Sequence, residues 1–273
     1  MIDMVQRRGF GRPPASEVEG RGLTRLLDAV SMSHIRAVAL LIVCGFLFFL
    51  PGLFNIGPID RDEARFAQAT KQMVETGDPV DIRFQEEVRY KKPVGIYWLQ
   101  ATVVKTAGKL GLARPEIRIW LYRVPSLFGA IGAVLLTYWT ALAFVTRRGA
   151  VLAGLIMCSS VLLGIEARLA TTDAVLLLTT TTVMGALARV YLSWQRGEAF
   201  ARDAWALPAI FWTAMAASVL VKGPLIFLIA GLAIAALGVL DRSVQWLRRL
   251  RPVPGVIWML VLILPWFIAI YLK

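Results

Sequence analysis

The chain has 273 residues, of which 58% are hydrophobic, with a mean hydropathy of +0.65. That composition excludes an ordinary soluble domain and indicates a protein built for lipid. The formal net charge of +12 does not indicate nucleic acid, because the positions of the cations along the chain account for it.

Residues 1–22 carry Arg, Gly, Pro and Ser without hydrophobic periodicity. They read as the disordered start of a cytoplasmic tail covering 1–35. The first charge-free stretch, 37–59, is long enough to span a bilayer. It reads as a signal-anchor and not as a cleaved signal. Its flanking region is 36 residues long, and Pro51-Gly52 and Asn55-Ile56-Gly57 follow it in place of a small-residue cleavage site.

Residues 60–118 form the one substantial segment between spans. Asp60 suits the cap of a helix from about Arg61 to Thr76, with Glu63 three residues on as the second half of a capping box. Phe66, Thr70, Met73 and Val74 share one face of that helix at helical spacing. Gly77-Asp78-Pro79 stops it. Residues 80–90 read as an extended stretch or loop, and Pro93 opens a second helix from Val94 to about Lys109. The run from Pro93 to Val104 has only 12 uncharged residues, too few to cross. Both helices are therefore expected to lie along the membrane surface, with Tyr97, Trp98, Trp120 and Tyr122 at the interface.

Charge-poor stretches then predict spans near 119–146, 149–167, 173–192, 204–221, 223–240 and 253–272, seven in all with the first. The fourth reaches about Leu192 because Arg189 can snorkel. With the N-terminus cytoplasmic, segments 1–36, 147–148, 189–203 and 241–251 carry 6, 2, 3 and 4 Lys+Arg, while the short turns near 166–173 and at 222 carry one each. This asymmetry puts 60–118 outside. That segment is itself basic, and its charge requires a separate reason.

Cys44 and Cys158 fall inside spans and read as packing residues. His34 is the only histidine, which excludes a His-based triad or a multi-His metal site within this chain. No P-loop, no G-x-G-x-x-G and no Cys/His metal spacing occurs.

This topology gathers four clusters on the external side: Asp62-Glu63 with Arg65, Lys91-Lys92-Pro93, Arg168 to Asp173, and Lys222-Gly223-Pro224. Charges beside a membrane are costly, so a compact set of both signs points to a charged ligand. Each member also has a purely structural reading. Asp60 caps a helix; Asp173 is placed to cap span four; Lys91 and Lys92 suit solvent or anionic headgroups; Lys222 ends a span. Asp62 follows the cap by two positions and shares its helix with Arg65 at i+3, which favours a functional carboxylate.

The strings Ile59-Asp60-Arg61-Asp62-Glu63-Ala64-Arg65-Phe66-Ala67, Tyr90-Lys91-Lys92-Pro93-Val94-Gly95-Ile96-Tyr97-Trp98-Leu99 and Arg168-Leu169-Ala170-Thr171-Thr172-Asp173-Ala174 resemble the membrane glycosyltransferases of the GT-C fold. The nearest likeness is to the aminoarabinose (lipid A) transferases and the protein O-mannosyltransferase relatives. Arg123-Val124-Pro125-Ser126, Lys222-Gly223-Pro224 and Pro265-Trp266-Phe267 follow in the family's order. The resemblance covers about residues 36–273, and the ordered set carries it, not any single motif.

The resemblance implies an all-α polytopic membrane protein with about seven transmembrane helices and surface helices between spans one and two. It implies transfer of a sugar from polyprenyl phosphate to an envelope acceptor such as lipid A or a protein, at the periplasmic face of the bacterial inner membrane. Asp62 would be the principal catalytic carboxylate and Asp173 a second one facing the same cavity. Glu63, Arg65, Lys92, Arg168 and Lys222 would hold substrate, with Arg65 and Lys92 on the lipid-linked phosphate. No metal ligand is assigned, and the need for a divalent metal is left open. Lys91 stands where many relatives carry an acidic residue, so an ion pair or metal contact of such relatives is not expected here. Family members are about twice this length, so the chain corresponds to an N-terminal half. Two other readings are a polytopic transporter and an inactive fragment that only binds polyprenyl phosphate. The charge-free interiors of the spans disfavour transport, which uses ionisable groups near the midplane.

Overall fold

The computed structural model describes residues 15–90, 92–198 and 204–273. The chain is almost wholly helical. Helix α1 (Ala15–Ser31) leads through a Ser33-capped start into α2 (His34–Phe49). The helical start at Ala15 corrects the expectation of disorder through residue 22. From Ala15 onward the sequence loses its prolines and is rich in Ala, Glu, Leu and Arg, all good helix formers. The earlier part of that tail, 1–14, lies outside the described residues.

The first span is shorter than expected. Helix α2 ends at Phe49, because Pro51-Gly52 follows and Gly52 turns the chain at φ +86°. Helix α3 (Arg61–Thr76) begins and ends as its sequence predicts. Asp60 accepts from the Asp62 N–H at 2.8 Å, and Gly77, at φ +74°, donates its N–H to Met73 O. Phe66, Thr70 and Met73 are buried along one face. The stretch after it is a short hairpin, β1 (Arg83–Phe84) with β2 (Glu87–Val88), turning through Gln85 at φ +60°. Helix α4 (Gly95–Lys109) and a 3-10 turn (Pro115–Ile117) complete the segment.

The remaining helices are α5 (Ile119–Ala141), α6 (Arg147–Cys158), α7 (Val161–Glu166), α8 (Asp173–Gln195), α9 (Ala206–Lys222), α10 (Leu225–Asp241) and α11 (Pro252–Tyr271). Helices α5, α8 and α11 are each long and apolar enough to cross a membrane; α2, α9 and α10 are apolar but shorter. The span expected near 149–167 is two helices. Ser159 and Ser160 break it: Ser159 Oγ donates to Ile156 O at 2.9 Å, and Ser160 Oγ accepts from the Leu163 N–H to start α7. Paired hydroxyls offer the backbone a local alternative to the helical ladder.

Two apolar cores fill the bundle. One joins α1, α2, α5, α6 and α7 around Leu41, Phe49, Val134 and Val151; the other joins α8 to α11 around Leu187, Phe211, Met215 and Ile226. A third seats α3 and α4 on the ends of α8, α9 and α11 through Phe66, Tyr97, Val175, Val221 and Trp266. Tyr97, expected at the interface, is buried in this packing, and Tyr122 is buried in a fourth cluster with Val104, Leu121 and Ala170, whereas Trp98 and Trp120 keep part of their surface open. Gly95 permits the seating: a Cβ there would stand 2.7 Å from Leu220 O of α9. Buried Gln100 fastens the layer. It accepts from Thr70 Oγ1 at 2.6 Å and donates to the carbonyls of Tyr122 and Ala170.

Candidate functional site

The first turn of α3 holds three carboxylates with three different fates. Asp60 caps the helix. Glu63 is wholly buried and forms an ion pair with Arg123 of α5, also wholly buried, at 2.7 Å. It further accepts from the N–H groups of Ile59 at 3.2 Å and Ala170 at 3.1 Å. It therefore does not close a capping box on Asp60; it reaches one residue past the cap, to the Ile59 N–H. Arg123 donates in turn to the carbonyls of Leu53, Ile56 and Gly57. Every charged hydrogen-bonding position of this pair is used inside the protein. Glu63, expected among the substrate-binding residues, is here a strut that ties α3 to α5 and to the turn before α8.

Arg168, expected in the same set, is also engaged within the protein. Its guanidinium donates to Pro51 O at 2.6 Å and to the carbonyls of Gly164 and Phe48. Those carbonyls lie at the C-terminal ends of α7 and α2, where acceptors lack helical partners. The cation holds two helix ends together.

Asp62 is placed differently. Its side chain is 54% exposed and, among the described residues, pairs with Arg65 at 3.3 Å along the same helix. Exposed pairs of this kind contribute about 0.3–0.5 kcal/mol, so stability does not account for the pair. Arg65 is half-buried beneath it. Lys92 is half-buried and joins no ion pair among the described residues. Lys91, its neighbour in the motif, lies outside the described residues. Close by, the buried Tyr97 hydroxyl and Arg89 Nε make no well-formed hydrogen bond. Burial pushes the Tyr97 phenol up, and the Arg89 guanidinium beside it pulls it back down.

Asp173 opens α8, where the positive end of the helix favours a carboxylate. The backbone cap is Thr172, so Asp173 is not spent on capping and its side chain is ion-paired to Lys222 at the end of α9. Glu166, which sequence reasoning did not single out, stands beside them. It accepts from Thr171 Oγ1 at 2.8 Å and lies within charge range of Asp173, Lys222 and Asp60. A cavity of about 390 Å³ runs from Glu166 and Asp173 between α7, α8 and α10, past Leu162, Leu176 and Leu177. Its walls are apolar and its charged groups sit at one end.

The four predicted clusters are therefore joined through contacts. Glu63 binds Ala170, three residues before Asp173; Asp173 binds Lys222; and the α4 start that carries Lys92 packs on α9 just before Lys222. Among the described residues there is no group of three His, Cys, Asp or Glu side chains able to hold a metal.

A family model described as dolichyl-phosphate-mannose-protein mannosyltransferase matches residues 97–273. The undecaprenyl phosphate-alpha-4-amino-4-deoxy-L-arabinose arabinosyl transferase of Aeromonas salmonicida is 29% identical over 83% of this chain and 40% of its own length. An uncharacterized protein of Aquifex aeolicus is 30% identical over 68% of this chain and 39% of its own length. The crystal structure of ArnT from Cupriavidus metallidurans in the apo state superposes with a TM-score of 0.71 at 21% identity, covering 93% of this chain and 42% of that one. The same protein bound to undecaprenyl phosphate gives a TM-score of 0.71 at 23% identity, covering 87% and 41%. The likeness gives the fold, the all-α GT-C architecture expected from the motifs. The chain spans about two fifths of the length of the curated relatives it matches.

Proposed function

The chain belongs to the dolichyl-phosphate-mannose-protein mannosyltransferase family, and on that premise we propose that it carries the donor-binding part of a glycosyltransferase. The enzyme moves a sugar from polyprenyl phosphate to an envelope acceptor, a lipid such as lipid A, a glycan or a protein, on the periplasmic face of the inner membrane. The observation that supports this reading is the placement of the Asp62–Arg65 pair and the Asp173–Lys222 pair at the ends of α3, α8 and α9, linked through Glu63 and Ala170, with Lys92 just ahead of the α4 start that packs on α9 and an apolar cavity leading from Asp173. One relative of the same fold was crystallised with undecaprenyl phosphate.

In this reading the bond between the anomeric carbon and the phosphate oxygen breaks as the acceptor oxygen attacks the anomeric carbon. The electron pair of the broken bond stays on the departing phosphate. Arg65 and Lys92 stabilise that charge, since cations placed on phosphate oxygens act where charge develops. Asp62 orients the acceptor hydroxyl and takes its proton. Where the acceptor is itself a phosphate there is no proton to remove, and Asp62 acts by position and charge. Asp173 is held by Lys222 on the opposite helix ends, and the prenyl chain follows the apolar cavity.

The test is donor-lipid binding. With the chain in nanodiscs, undecaprenyl phosphate should bind Lys92→Ala more weakly than wild type by about 1.5–3 kcal/mol, the loss expected for one charge-assisted hydrogen bond. Equal affinity for the two proteins would remove Lys92 from the phosphate site.

A further inference from the structure

The external segment ends in a surface that the glycosyl-transfer site does not use. Lys105 and Lys109 are exposed at i and i+4 on one face of α4. Arg114, at φ +50°, and Arg118 are exposed on either side of the 3-10 turn that follows. None of the four joins an ion pair among the described residues. Between Val88 and Ile165 the sequence holds a single acid, Glu116, and it is half-buried. Two large apolar side chains stand out among these cations: Leu110 is 81% exposed and Ile117 is 61% exposed.

Position decides what such a surface meets. Arg118 directly precedes α5, one of the three helices able to cross a membrane, so the patch is tethered where the chain enters the bilayer. The half-buried Trp120 lies edge-on to the exposed Phe54, with ring centroids 5.3 Å apart, which places aromatic groups at the same level. Apolar side chains flanked by exposed Lys and Arg at an interface match a surface that dips into the headgroup layer and pairs with phosphates. The patch also supplies a reason for cations on the side of the membrane where short loops avoid them.

We propose that the C-terminal end of α4, the 3-10 turn and Arg118 dock on the phosphate headgroups of anionic phospholipids in the leaflet bordering α3 and α4, with Leu110 and Ile117 below the headgroups. The patch anchors the α3–α4 layer over the ends of α8 and α9.

The test uses the whole chain with Cys44 and Cys158 replaced by Ala and a single Leu110→Cys carrying a bimane fluorophore. It is placed in nanodiscs of phosphatidylcholine, with or without phosphatidylglycerol, that contain a shallow doxyl-lipid quencher. Quenching should be greater with phosphatidylglycerol. It should fall to the phosphatidylcholine level in high salt, which requires no substitution of the cations. It should fall equally when Lys105, Lys109, Arg114 and Arg118 are all changed to Gln. No quenching in either disc would mean that protein covers the patch, and the proposal fails. Equal quenching in both discs, insensitive to salt and to the Gln changes, would reduce the contact to an apolar one and overturn the anionic recognition.

Discussion

At the residue scale, the three acids of one helical turn separate by what surrounds them. Asp60 is consumed by capping and Glu63 by Arg123, which leaves Asp62 as the exposed carboxylate beside a cation. In the full-length enzyme, Asp62→Asn should lower transfer by about 10²-fold or more, the scale of a positioned acid–base group, with expression nearly unchanged. Asp60→Asn should cost little because Asn also caps well. Turnover assays on the two variants check this, and the opposite ranking would move the catalytic role to Asp60. Arg123→Ala should act on folding instead. It leaves Glu63 charged, buried and unpaired, at about 3–5 kcal/mol. Thermal melting in detergent should show this as loss of the folded protein, not as a loss of donor affinity. Sequence alone separated Asp60 from Asp62, since capping is a local interaction. It could not separate Glu63 or Arg168 from the ligand-binding set, because their partners lie 60 and 117 residues away. Glu166 escaped notice for a related reason. It sits at the end of an apolar run, and only the break at Ser159-Ser160 and the turn to Asp173 bring it to the cavity.

At the element scale, the two helices of segment 60–118 were legible because their signals are short-ranged. The cap, the apolar face and the Gly77 stop of α3, and Pro93 ahead of α4, all act within a turn or two. The breaks in the spans were less legible, because hydropathy counts apolar residues and does not register where serines or a Pro-Gly pair divert the backbone. What no local signal shows is how α4 seats. Gly95 sits 2.7 Å, measured from an ideal Cβ, from a backbone carbonyl of α9, and a main-chain atom cannot rotate away as a side chain can. Gly95→Leu should therefore push the start of α4 off α9 and displace Lys92, three residues before it. The expected outcome is a destabilisation on the scale of overpacking, about 1–3 kcal/mol, together with weaker binding of undecaprenyl phosphate. Ala107→Leu, at a half-buried position further along the same helix, should leave that binding less affected. Melting and lipid affinity measured side by side distinguish a local misplacement from general unfolding.

At the scale of the whole molecule, the cation distribution leads to a prediction about sidedness. The Arg clusters lie at the start of α2, at the start of α6, at the end of α8 and in the link after α10, and several of these arginines bind backbone carbonyls at helix ends: Arg147 to Ser31 and Met32, Arg189 to Trp139, Arg196 to Ala143. Those arginines fix helix ends, and the excess of Lys and Arg on their side of the bundle is the basis for expecting that side to be cytoplasmic. The opposite side carries α3, α4, Asp62, Asp173 and Lys222. Two positions report on the two sides. Asp78 follows the Gly77 cap of α3 and is half-exposed, and Ser243 is half-exposed in the link after α10. In a background lacking Cys44 and Cys158, a cysteine at Ser243 should resist an impermeant thiol reagent in intact cells whose outer barrier is permeabilised. A cysteine beside the cap, at Asp78, should react, and it avoids the left-handed conformation that Gly77 supplies. Lysis should make both reactive. The reverse pattern in intact cells would put the carboxylates and the lysines that surround the cavity in the cytoplasm, the wrong compartment for a periplasmic acceptor, and the proposed reaction would have to be reassigned together with its acceptor.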